Sequence, residues 1–365
     1  MNEFVLTEVR GAVGCITLNR AKALNALSLG MVRALTQTLA QWEQNPAVKA
    51  VAVRGMGKTG PFGSFCAGGD IRFFHQAALA GNPELEDFFT EEYHLNHLIH
   101  NYPKPYIAFM DGIVMGGGMG ISQGASHRLV TARTKMAMPE THIGLFPDVG
   151  GGYFLSRCPG RTGEWLALTG EAMDAGAALS LGLADACLDV ARLDEAWAAL
   201  DSIDFAQGNA LQEWVAMFSI AACAHSTGAR GLIDQYFSLN SMPEIMLALE
   251  SDGGEWAQNT AATLRKRSPL MLHVVLEQVR RARTMSLAED LRMERNIVRH
   301  CFNTHHLARF GVTSETVEGI RALAVDKDHA PQWNPPRIED VTPEQVAPFF
   351  ESPWPAWAHP LRNLA

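Results

Sequence analysis

The chain has 365 residues, 47% hydrophobic and 19% charged, a composition that gives a folded protein a sizeable core and excludes a disordered one. A formal net charge of -9 argues against nucleic acid as the main partner. No apolar run reaches the ~20 residues that a membrane helix needs, so no membrane partner is expected.

The opening MNEFVLTEVRG lacks the basic start and apolar run of a secretory signal, and the Arg/Ser richness of a transit peptide. Cys15, Cys66, Cys158, Cys187, Cys223 and Cys301 are scattered with no C-x-x-C pair, which predicts reduced thiols in a reducing compartment, and the chain reads as cytoplasmic or as a mature form. Residues 4–9 and 14–18 read as two strands about a turn at Arg10-Gly11. Ser28 is placed to cap a helix with Met31, Leu35, Leu39 and Trp42 on its apolar face, stopped by Asn45-Pro46. A strand over 48–53 follows, and strand, helix and strand predict a crossover unit in a mostly parallel sheet. The run Gly57-Lys58-Thr59 ends like a phosphate-binding loop. That motif demands glycine where this chain has Ala52, so a plain turn is the better account.

Phe65-Cys-Ala-Gly-Gly-Asp-Ile-Arg72 leads into a helix start near Asp70, where an acid suits the helix dipole. Either it is a plain helix entry or its glycines aim a backbone N–H at an anionic oxygen. Residues 88–100 read as helix. His94, His97 and His100 recur every three residues, whereas metal pairs on a helix prefer i, i+4, so no metal site is expected there. Glu92, on the same helix, is either a surface acid or faces a site. A strand over 105–110 precedes Gly116-Gly117-Gly118, and a helix is expected over 121–125. Gly120-Ile-Ser122-Gln-Gly124 matches G-x-S-x-G, but the turn falls earlier, which places Ser122 about one turn into a helix and not at a nucleophile elbow. Residues 128–132 form another strand, and 136–139 lead to Glu140.

Glu140 and Asp148 stand in apolar runs, Met-Ala-Met-Pro-Glu and Leu-Phe-Pro-Asp-Val, between two glycine clusters, 116–118 and 150–152. An acid in such a run is costly to bury unless it is paired or its pKa moves. Backbone donors beside poised carboxylates are what acyl transfer needs; tight turns with both acids as helix caps are the plainer alternative. Beyond Tyr153, helices are expected over 162–169 and 171–179, and a final strand from Leu188. From about Asp201 helical periodicity takes over, dividing the chain into a core over 1–200 and a helical region over 201–365. Ser268-Pro269 is a cap-and-start pair for a helix with Leu272, Val275, Leu276 and Val279 inward. Arg280, Arg281 and Arg283 read as a solvated basic face, and the Pro/Trp tail from Ala330 as an extension with little regular structure.

Phe65-Cys-Ala-Gly-Gly-Asp-Ile-Arg72 with Met115-Gly-Gly-Gly118 resembles the enoyl-CoA hydratase/isomerase (crotonase) superfamily. Met138-Pro-Glu-Thr-His-Ile-Gly-Leu-Phe-Pro-Asp-Val-Gly-Gly-Gly-Tyr153, Glu91-Glu-Tyr-His-Leu-Asn96 and the late stretch from Thr316 to Trp333 are similar to its 3-hydroxyisobutyryl-CoA hydrolase branch. The resemblance runs nearly end to end. It implies an α/β fold, a crotonase-type spiral of stacked ββα turns followed by a helical C-terminal region, often assembled as a homo-oligomer. It implies an acyl-CoA thioester as substrate, in valine catabolism, with no cofactor or metal beyond the CoA that the substrate carries. By position, the amides of Gly69 and Gly117 would grip the thioester oxygen. Leu24, Asn25, Ala67, Gly68, Asp70 and Ile71 would line the CoA path, and Glu92 the acyl end. Hydratases of the superfamily use two glutamates; the later corresponds to Glu140, but the earlier would fall at Gly120, which has no side chain. Asp148 stands where they have glycine. The implied chemistry is therefore hydrolysis, with Glu140 as nucleophile or general base and Asp148 orienting water or holding a proton. A hydratase or isomerase, a Ser122 thioesterase and a non-catalytic acyl-CoA-binding protein are the rivals.

Overall fold

A computed structural model describes residues 2–221 and 229–365; Cys223 lies outside the described residues. The chain forms two compact units. The first comprises Met1–Gly69, Leu95–Ala137 and Ala172–Ser226, the second Asp70–His94, Met138–Glu171 and Thr227–Ala365.

The first unit is a spiral. Its main sheet runs β1 (Val5–Arg10), β2 (Val13–Leu18), β3 (Ala50–Gly57), β5 (Tyr106–Met110), β7 (His127–Thr131), β9 (Ala186–Leu188) and β10 (Ser219–Ile220), with β4 (Gly60–Pro61) hairpinned onto β3. Pairing is parallel from β2 to β9 and antiparallel at both ends. After β5 and β7 the chain turns a corner into β6 (Ile113–Met115) and β8 (Lys135–Ala137), which pair parallel as a second small sheet. Cys66 extends that sheet through a bridge to Val114, and Met173 through one to Met136. Strand, corner, strand and helix then repeat as stacked ββα turns. The corner after β5 is held by a buried carboxylate. Asp111 accepts from the Gly63 amide and the Thr131 hydroxyl and pairs with Arg133 at 2.6 Å. Gly112 there has φ +76°, and a Cβ would lie 2.2 Å from the Gly63 carbonyl oxygen, so only glycine fits.

Helix α1 (Leu29–Gln44) starts where expected, with Ser28 Oγ accepting from the Met31 amide and Asn45 ending it. Its inward face buries Met31, Leu35, Leu39 and Trp42. On the sheet's other side Phe109, Phe62, Trp197 and Trp214 interlock with β-strand side chains. The stretch after Leu188 departs from expectation. The strand ends there, Asp189 caps a turn onto Ala191, and a helix follows over Leu193–Ala199 with Leu193 and Trp197 buried. Capping chemistry outweighs the alternation.

The second unit is helical. It begins with α2 (Ile71–Ala80) and continues into α3 (Glu84–His100), whose last residues belong to the first unit. The helix Pro269–Ala282 starts with Ser268 as cap and proline at its first turn, and buries Leu272, Val275, Leu276 and Val279. The helix Leu287–Phe302 opens with a capping box, Ser286 with Glu289. Phe74, Phe88, Phe89 and Phe302 form one aromatic cluster joining α2, α3 and that helix. The arginines misread as a solvated face are structural. Arg280 donates to the carbonyls of Phe237 and Asn240, and Arg283 grips both oxygens of buried Glu164 at 2.7 and 2.8 Å; only Arg281 is an exposed pair, with Glu277. The tail has short 3-10 turns, and Phe349 and Leu361 are fully buried.

Gly14 of β2 faces the indole of Trp42, where a Cβ would sit 2.4 Å from the ring. Gly14→Ala is therefore expected to lower the unfolding free energy by about 1–3 kcal/mol. A urea midpoint equal to the parent's contradicts this packing.

Candidate active site

In the first unit the two glycine motifs meet. Leu27 N donates to Gly68 O at 2.8 Å, Ala67 N to Leu24 O at 3.0 Å, and Met115 N to Cys66 O at 3.0 Å, so the segments lie side by side. Gly68 has φ +107°, and a Cβ on it would be 3.7 Å from the Gly117 nitrogen. Gly117 opens helix α4 (Gly117–Gln123). An amide at a helix's first position has no partner within it. The Gly69 amide likewise donates to no group among the described residues. A Cβ at Gly118 would fall 2.2 Å from the Cys66 carbonyl oxygen, so this approach requires glycine. Two neighbouring segments thus offer amide donors of the kind that hold an oxyanion.

Of the residues expected on the CoA path, Asn25 is braced internally. Its side chain donates to Met56 O and Ser64 O and accepts from Arg20 N, and it is fully buried. Leu24 beside it has φ +50° and is exposed. Asp70, at the head of the second unit, caps α2 by accepting from Phe73 N at 3.2 Å, and Ile71 is the first residue of that helix.

The second unit gathers the carboxyls. Glu92 on α3, Glu140 at the start of a 3-10 turn (Glu140–Ile143) and Asp148 before the second glycine cluster are 2%, 7% and 5% exposed. Neither Glu140 nor Asp148 caps a helix with its side chain; Gly150 stands at the cap of α5 (Gly151–Leu155). Asp148 Oδ2 instead accepts from the Tyr93 hydroxyl at 2.8 Å. Glu92 Oε1 and Glu140 Oε2 are buried without a hydrogen-bond partner among the described residues. Atoms left so in a folded protein mark a place where a ligand or water belongs.

Burial raises all three proton affinities, and hydrogen bonding separates them. Desolvation pushes Glu140 well above the usual carboxylate range, the charge of Asp148 pushes it further, and its own backbone amide pulls back. Glu92 is raised by burial, then by Asp148 and Glu140. Asp148 is pushed by burial only to about 7, because the Tyr93 hydroxyl and its own amide favour the charged form. Asp148 therefore ionises first, and Glu140 and Glu92 keep their protons beside it.

Both acid-bearing turns are gripped from the C-terminal helices of the same unit. The amides of Gly150 and Gly152 donate to Glu294 at 2.7 and 3.0 Å, and that of Tyr153 to Asp290 at 2.8 Å. Gln278 donates to Pro147 O at 2.7 Å and to Glu294 at 3.1 Å. Val149, between the gripped Pro147 and Gly150, has φ +57°, in the left-handed region. Under the Glu140 turn, Thr316 Oγ1 donates to Gly144 O at 2.6 Å, and a Cβ on Gly319 would meet Ile143 at 2.4 Å. Sequence reasoning missed Tyr93, Gln278, Asp290 and Glu294. Their signal was thin: a tyrosine beside Glu92, and acids four residues apart on a helix more than 130 residues downstream of their glycines.

The family pattern of enoyl-CoA hydratase/isomerase matches residues 13–350. The chain belongs to this family. It is 37% identical over 353 residues to a mitochondrial 3-hydroxyisobutyryl-CoA hydrolase of Gallus gallus, spanning 95% of this chain and 88% of that one. Among solved structures, a carnitinyl-CoA dehydratase from Mycobacterium thermoresistibile superposes with a TM-score of 0.87 at 38% identity, covering 96% of this chain and 97% of that one. An enoyl-CoA hydratase from Rhodobacter sphaeroides does so with 0.86 at 34%, covering 96% and 98%. The ββα spiral is thus the enoyl-CoA hydratase/isomerase fold. The word mitochondrial in the avian relative's name gives the cytoplasmic expectation no support. Among the described residues no helix is long and apolar enough to cross a membrane.

Ser122 is settled by geometry. It lies inside α4, fully buried, with its hydroxyl turned back onto Gly118 O at 2.8 Å. Ser122→Ala is expected to retain turnover within about twofold, since the hydroxyl makes only a local helix bond. Loss of hydrolysis in a folded Ser122→Ala variant contradicts this.

Proposed function

We propose that this chain hydrolyses a short branched 3-hydroxyacyl-CoA thioester, 3-hydroxyisobutyryl-CoA, to the free acid and CoA. The buried pair Glu140 and Asp148, one neutral and one ionised near neutral pH, carries the reading. The relative named for this hydrolase supports the substrate. Backbone of Leu24, Asn25, Ala67, Gly68, Asp70 and Ile71 lines the CoA path, and CoA enters with the substrate, so no separate cofactor is needed. The Gly69 and Gly117 amides hold the carbonyl oxygen as it takes up charge; losing one such donor typically costs ~10²–10³ in rate.

The resting proton sits on Glu140. Its transfer to Asp148 leaves Glu140 as carboxylate and Asp148 as acid. Glu140 then attacks the thioester carbon, the C–S bond breaks, and the Asp148 proton goes to the departing sulfur. Asp148, ionised again, takes a proton from water, which splits the mixed anhydride and returns Glu140. Without the covalent step, the same pair activates water directly: Glu140 takes its proton and Asp148 protonates the sulfur. Glu92, neutral, donates to the substrate's hydroxyl end.

The solved structures named for a dehydratase and a hydratase favour a second reading, addition or loss of water at a double bond. Gly120, buried in α4 with no side chain, weighs against two-glutamate chemistry.

Glu140→Gln is expected to lower thiol release by about 10²–10⁴-fold while CoA-ester binding persists. Asp148→Asn should lower it less. Near-parental turnover in Glu140→Gln removes Glu140 from this role. On a panel of short acyl-CoA esters, thiol release without loss of enoyl absorbance is expected; the converse establishes the hydratase reading.

A further inference from the structure

Resting on the role just proposed for Asp148, we infer that Tyr93 is a positioning residue for the reaction: its buried hydroxyl fixes Asp148 Oδ2, leaving Oδ1 to take and give the proton. Tyr93 is fully buried, and its hydroxyl is the side-chain donor to Asp148 among the described residues, at 2.8 Å. The ring is held edge-on against Phe89, 6.2 Å between centroids, and Phe89 is locked in the cluster with Phe74, Phe88 and Phe302. The hydroxyl therefore cannot swing away without breaking a packed aromatic core.

The groups acting on Asp148 and its partner come from three elements. Tyr93 and Glu92 stand on α3, and Glu140 on its 3-10 turn. Glu294 and Cys301 stand on the helix Leu287–Phe302. Among the described residues no cation is among the charges that act on Glu92, Glu140 or Asp148. The stabilisation of a charged Asp148 thus falls to the tyrosine hydroxyl and a backbone amide. A hydrogen bond to the carboxylate favours its charged form, so removing it makes Asp148 hold its proton to higher pH.

Tyr93→Phe keeps the ring and its packing and deletes only the donor. The expected result is a fall in kcat of roughly 10–100-fold with KM within about twofold, from loss of a group oriented for the chemical step. The acid limb of the kcat/KM profile should move to higher pH than the parent's, by about one unit. A role confined to packing would lower thermal stability and leave that limb in place. Should Tyr93→Phe fold poorly, 3-fluorotyrosine placed at position 93 supplies a stronger donor of nearly the same shape, and the limb should move down. An unmoved limb in either form, with kcat preserved, overturns the inference. Asp148→Asn, assayed alongside, separates the two ideas. If it keeps parental turnover, the assignment of Asp148 fails. If it loses turnover while Tyr93→Phe keeps the parental profile, only the tyrosine's role fails.

Discussion

Carboxyl groups taken out of water are the constraint on which the second unit is built. A buried carboxylate is expensive unless protonated or hydrogen-bonded. Among the acids buried within this helical unit are Glu92, Glu140, Asp148, Asp290 and Glu294. They divide into two kinds. Asp148 and Asp290 carry hydrogen bonds that favour charge and are raised by burial only to about 7. Glu140, Glu92 and Glu294 are pushed well above the carboxylate range. Environments that push neighbouring acids apart make one a proton holder and the other a charge, the division of labour that acid–base chemistry requires.

The glycines answer a different demand. At Gly112 and Gly118 the backbone passes so close to its neighbour that a side chain has no room, and Gly68 has φ +107°, a conformation that L side chains rarely adopt. The first unit thereby brings amide donors beside each other on rigid segments. In the second unit Gly150 and Gly152 serve as donors themselves, tied to Glu294. The later helices therefore brace both acid-bearing turns: the stretch from Thr316 holds the Glu140 turn, and Glu294 with Gln278 holds the Asp148 turn.

Much of this was legible in the sequence, and the limits have a physical cause. Local signals travelled well: the Ser28 and Ser268 caps, the burial of Glu140 and Asp148 in apolar runs, and the place of Ser122 inside a helix. Contacts between distant segments did not. Tyr93 and Asp148 are 55 residues apart, and Gly150 and Glu294 are 144 apart, so neither bond leaves a periodic trace. Arg280 and Arg283 looked like solvent charges because charge patterning cannot show which carbonyls and carboxylates lie opposite. The strand expected from Leu188 gave way to a 3-10 turn capped by Asp189 that leads into a helix.

The central claim is that burial keeps Glu140 protonated beside an ionised Asp148 at neutral pH. Infrared difference spectroscopy between the parent and Glu140→Gln, in the carboxyl stretching region at neutral pH, measures it directly. The account predicts loss of a protonated-carboxyl C=O band in the variant. A difference confined to ionised-carboxylate bands would contradict it, because Glu140 would then already carry the charge that this account assigns to Asp148.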